Sequence, residues 1–212
     1  MLLTVLASTL GGDPTTVEDK RSAISIGGLL SFVLVIFGIV GATGEYRHRT
    51  VAPAVLIAPD RARLLLARAF AYGVTALLVG LLMLVVAFVV GIPLLAGTDG
   101  PGLVLSDYLE LAGGGLLSAA LSAILGVGAG ALIGNQVAGV VGALVFFFII
   151  EPLAPLVSDD LQSLTIGQAQ VRLGGVEVVP SSAFLAALGV LVAWTLLFLL
   201  LGVSRERGRE VS

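Results

Sequence analysis

Between Leu111 and Ile150 the chain runs 40 residues without one charged side chain. As a single helix that run would be about 60 Å long at 1.5 Å per residue. The hydrocarbon core of a bilayer is about 30 Å thick. So long an apolar stretch must fold back on itself. Its one polar turn signal near the middle is Gly134-Asn135-Gln136. The sequence therefore predicts a helical hairpin there, with one span on each side.

Three other runs are uncharged: Ser22–Gly44, Ala69–Thr98 and Val178–Ser204, of 23, 30 and 27 residues. Each exceeds the roughly 18 apolar residues that mark a membrane-spanning helix. Charged residues make up 12% of the chain, about half the share in soluble domains, too few to cover a water-facing surface. The expected fold class is therefore all-α, a polytopic helical membrane bundle. The predicted spans lie at about 22–43, 69–97, 111–133, 137–157 and 180–203. An outer loop at 151–179 overlaps the end of the fourth of these. Its first part, PLAPLVSDDLQSL, is half apolar and suited to short helices at the membrane interface. Met1–Gly12 is apolar but only 12 residues long, about 18 Å of helix. It reads as the outer half of a truncated first span, and a complete one would make six.

Charge sets the expected orientation. Residues 44–68 and 205–212 hold eight of the eleven Lys/Arg residues and four acids. The other polar segments hold three bases (Lys20, Arg21, Arg172) and ten acids. Basic residues favour the cytoplasmic side. That puts 44–68, the 134–136 turn and the C-terminal tail inside, and 13–21, 99–110 and 151–179 outside. Both termini are cytoplasmic if the first span is complete, and the expected location is the plasma membrane.

Several chemistries lack their residues. There is no cysteine and one histidine, so thiolate and histidine-rich metal sites are excluded. No GxxxxGK[ST] or HExxH pattern occurs, and the glycine-rich run Gly126–Gly134 has no lysine to hold a nucleotide. The spans carry almost no ionisable groups, with Glu110 and Glu151 only at their edges, unlike ion-coupled carriers. No catalytic, cofactor-binding or metal site is expected in this chain. The basic residues are few and membrane-proximal, so nucleic-acid binding is not expected.

Gly126, Gly130 and Gly134 recur every four residues and share a helix face. Such stripes let helices approach closely in lipid. They suit a dimer seam, a moving gate or packing within one subunit. Ser118, Ser122 and Thr195 are the main polar side chains within the spans. They suit either a lining for amphipathic cargo or bonds back to their own helices.

The longest basic interruption is 44–68, GEYRHRTVAPAVLIAPDRARLLLAR. Pro53 suits the first turn of a short helix over 53–58, Pro59 ends it, and Asp60 can cap the next helix. Its arginines could also meet the phosphates of membrane lipids. Glu45, Tyr46, Arg47 and Thr50, followed by Leu56, Pro59 and Arg61, resemble a segment of the permease subunits of ABC type-2 transporters. There an E-[YFW]-R-x-G-T segment precedes L-x-x-P-x-R and a closing Ala-Lys. Here Arg49 stands where glycine is usual, and Ala67-Arg68 stands for Ala-Lys. The resemblance extends to the six-span layout.

It implies a non-catalytic membrane subunit, most often of an exporter, with residues 44–68 coupling it to a separate ABC ATPase. ATP-Mg would be held by that ATPase. The permease would pair with a second permease, identical or different, and move a hydrophobic or amphipathic substrate. The competing reading is a membrane anchor or assembly protein that recruits a cytoplasmic partner through the same basic segment without transport.

Overall fold

The computed structural model describes residues 15–48 and 61–208, and all regular structure among them is helical. Five helical segments are long and apolar enough to cross a membrane: Val17–Gly44, Ala62–Leu95, Leu105–Ile133, Gln136–Val157 and Ser181–Gly208. The chain thus has the architecture of a multi-pass integral membrane protein. The truncated first span expected at 1–12 lies outside the described residues.

Helix α1, Val17–Ile24, begins with a reciprocal cap. Thr16 Oγ1 accepts from the Asp19 amide at 3.1 Å, and the Asp19 carboxylate accepts from the Thr16 amide at 3.2 Å. Each satisfies a terminal group that the helix leaves open. After a break at Ser25–Gly27 comes α2, Gly28–His48. Helix α3, Arg61–Leu95, has 35 residues, about 52 Å of helix. Its arginine-bearing start therefore extends beyond the apolar core.

Helix α4, Leu105–Ile133, and α5, Gln136–Val145, form the hairpin in the 40-residue run. Gly134 ends α4 with a left-handed φ of 69°, its amide donating to the Gly130 oxygen at 2.8 Å. Glycine adopts that conformation without the Cβ penalty. Asn135 then caps α5 by accepting from the Ala138 amide at 3.1 Å.

The course of α5 continues as a π-helical stretch, Phe146–Ile150, a 3-10 turn, Glu151–Leu153, and α6, Ala154–Val157. Pro152 and Pro155 lie in these last two pieces. Two short helices follow, α7 at Asp159–Ser163 and α8 at Ile166–Leu173, then the last span, α9, Ser181–Gly208. The stretch 151–179, read from sequence as an outer loop, is thus largely helical. It also folds back onto the bundle: Ile166, Ala169, Gln170 and Leu173 of α8 are buried.

Helix α4 is the centre. Its apolar window is 61% buried, against 22% for α3, 6% for the span containing α5 and 17% for α9. The outer helices consequently present large apolar side chains such as Phe70, Leu82, Val89 and Leu200 outward. In lipid, apolar burial drives helix association weakly, and close backbone approach at small residues does more. The glycines of α4 fit that role. Gly126 and Gly130 face α2: a Cβ on Gly126 would run into the Val35 carbonyl, and one on Gly130 would lie 2.9 Å from the Ile39 oxygen. Gly128 faces α9, where a Cβ would lie 2.7 Å from the Leu199 nitrogen. Gly126 and Gly130 therefore pack within the subunit, whereas Gly134 serves as the cap.

Candidate functional site

The end of α2, the start of α3, the α4–α5 turn and the end of α9 lie at one end of the bundle, with the described parts of the basic segment. Glu45, Tyr46 and Arg47 belong to the last turn of α2, and Arg61 opens α3. Thr50, Leu56 and Pro59, with the short helix expected over 53–58, lie outside the described residues. The α4–α5 turn and the end of α9, with Arg205 and Arg207, complete this end. Glu206 is buried there, with 6% exposure.

Just inside the membrane from this end, Ala42 of α2, Leu65 and Ala69 of α3, and Val127 and Ala131 of α4 form one buried cluster. Tyr72, Ile124, Leu199 and Val203 pack against it. Gly41 accommodates the Tyr72 ring, since a Cβ there would collide with it. Gly202 of α9 approaches the Gly128 oxygen of α4, and Leu65 lies beside it. The two helices that flank residues 49–60 are therefore packed onto the same part of α4. A displacement of either would press directly on the central helix, because close-packed interiors have little room to absorb it.

At the opposite end, four side chains hold residues 164–175. Trp194 of α9 donates its indole N–H to the Leu164 oxygen at 2.9 Å. Glu151 accepts from the Gly167 amide at 2.6 Å. Gln170 donates to Ser122 Oγ of α4 at 2.8 Å. Arg21 of α1 donates from Nε to the Gly175 oxygen at 3.0 Å. The same guanidinium pairs with Asp107 at 3.1 Å and Glu110 at 2.7 Å. Sequence reasoning placed Glu110 and Glu151 at the membrane edge but missed their partners. The sequence reading also missed α8, whose one signal is the helical spacing of Ile166, Ala169, Gln170 and Leu173.

The hydroxyls considered as a path lining are spent in packing. Ser118 is hydrogen-bonded to Ser31 at 2.9 Å, and Ser122 takes Gln170, so both join different elements. Thr195 bonds back to its own helix, donating to the Leu191 oxygen at 2.7 Å. All three side chains are buried.

No group of three or more metal-ligating side chains occurs among the described residues. No family model, characterised protein or solved structure matches the chain.

Proposed function

We propose that this chain is the membrane-spanning permease subunit of an ATP-binding-cassette transporter. It works as an exporter of a hydrophobic or amphipathic substrate, and a separate ATPase subunit hydrolyses ATP-Mg. Residues 44–68 form the cytoplasmic contact with that ATPase. The observation that carries this reading is the shared buried cluster of Ala42, Leu65, Ala69, Val127 and Ala131. Through it, force applied between His48 and Arg61 reaches both flanking helices and α4 together.

Glu45 carries the only negative charge in the E-Y-R part of the motif. It pairs with a basic residue on the ATPase, and Arg47 and Arg61 orient the segment. Closure of the ATPase pair pushes the segment and tilts α2 and α3. Because Ser118 and Ser122 are locked into packing, cargo moves along the exposed apolar faces of the outer helices, where a second permease, identical or different, completes the path.

The test is transport by the complex with Glu45→Ala. The variant is expected to reach the membrane at wild-type level but to lose most transport and cargo-stimulated ATPase activity. Unchanged transport would remove the coupling role. A chain that assembles with a cytoplasmic partner and moves nothing would instead fit the anchor reading.

A further inference from the structure

Among the described residues, one buried side-chain polar atom has no hydrogen-bond partner: Nε of Arg172. Its nearest ion-pair partner is Glu177 Oε2 at 3.9 Å, beyond hydrogen-bond reach. Buried polar groups are ordinarily satisfied, and the Arg172 side chain is 29% exposed, so its guanidinium can turn this unused donor toward an acceptor beside it. Arg172 lines a cleft of about 370 Å³ between α4, α8 and α9. The cleft is graded. Arg172, Glu177 and Glu110 form its polar part, and Leu117, Phe184 and Leu185 its apolar part. Leu117 lies seven residues beyond Glu110 along α4, about 10 Å further into the bundle. Leu117 and Leu185 are 44% and 64% exposed, so the apolar half opens onto the side of the bundle.

The geometry points to a phospholipid site for a headgroup carrying both a phosphate and a primary ammonium. The phosphate accepts from Arg172, whose planar fork suits phosphate oxygens. The ammonium donates to Glu177 or Glu110, whose side chains are 47% and 57% exposed and so reachable. One acyl chain runs along Leu117, Phe184 and Leu185. The other positive charge of the cleft, Arg21, is already taken by Asp107, Glu110 and the Gly175 oxygen. That leaves one guanidinium facing carboxylates, which favours a zwitterion over a lipid with net negative charge. A quaternary ammonium has no N–H to donate, so a choline headgroup fits less well.

Native mass spectrometry of the full chain in detergent tests this, with phosphatidylethanolamine, phosphatidylglycerol, phosphatidylcholine and chain-free phosphoethanolamine added separately. The expected result is one retained phosphatidylethanolamine per chain, weaker retention of the other two lipids and none of the chain-free headgroup. Arg172→Gln should weaken that binding about tenfold, the scale of one charge-assisted hydrogen bond. Glu177→Gln, at an exposed position, should narrow the preference for ethanolamine over choline without disturbing the fold. Equal retention of all three lipids, binding of the chain-free headgroup alone, or wild-type affinity in both variants would overturn the assignment.

Discussion

Gln170 and Ser122 are hydrogen-bonded at 2.8 Å in the interior, joining α8 to the central helix α4. Gln170 is 1% exposed and Ser122 fully buried. The bond fixes the depth at which α8 sits, because Ser122 satisfies the buried Gln170 amide at that depth.

Gln170→Leu should therefore loosen α8 more than it destabilises the bundle. Losing the bond and leaving Ser122 without its partner costs about 1–2 kcal/mol. Hydrogen exchange should rise in 164–175 and stay unchanged in the part of α4 near Ala131. A uniform rise along all the spans would mean that the bond supports the whole bundle.

Arg21 is 3% exposed at its side chain, and its partners Asp107 and Glu110 are 15% and 57% exposed. Arg21→Gln strands a mostly buried carboxylate and should cost about 3 kcal/mol. Glu110→Gln removes a solvent-screened partner and should cost less than about 1 kcal/mol. Thermal unfolding in one detergent gives the order. Equal losses would show that Glu110, not Asp107, is the principal partner.

Two glycines of α4 should respond in opposite ways to alanine. At Gly126 a Cβ would meet the Val35 carbonyl, while at Gly113 nothing lies within 4 Å. Gly126→Ala should cost about 2 kcal/mol by forcing α2 away. Gly113→Ala should stabilise by up to about 1 kcal/mol through helix propensity. A neutral Gly126→Ala would mean that α2 does not pack so closely.

The absence of cysteine in the chain allows a clean test of orientation. Single cysteines at Asn135 and Arg205 should be labelled only from the cytoplasmic side, and one at Asp160 only from outside. Labelling of Asn135→Cys and Asp160→Cys from the same side would break the alternation of spans.

The hairpin in the 40-residue run was legible because lipid thickness demands a reversal and Gly134-Asn135 is where the backbone could make it. The glycine spacing showed that Gly126 and Gly130 share a face, but not that α2 covers it. The partner of a face is a tertiary fact. Likewise Arg21 lies 86 and 89 residues from Asp107 and Glu110, and nothing local announces those pairs. The burial of α8 was hidden for a different reason. Ala169 and Gln170 are poor markers of an apolar stripe, and Gln170 is tolerated inside only because Ser122 meets it. Of the basic segment, Glu45, Tyr46 and Arg47 fall on α2 and Arg61 on α3, while its middle lies outside the described residues.

The central claim is that residues 44–68 dock an ABC ATPase, and its most direct test is co-purification. The full chain would be co-expressed with each ABC ATPase subunit of its source genome, as wild type and as the Glu45→Ala, Arg61→Ala double variant. The account predicts a stable complex with the wild type and a weakened one with the double variant, at equal membrane levels. Absence of any complex with the wild type would contradict it, as would equal recovery with the double variant.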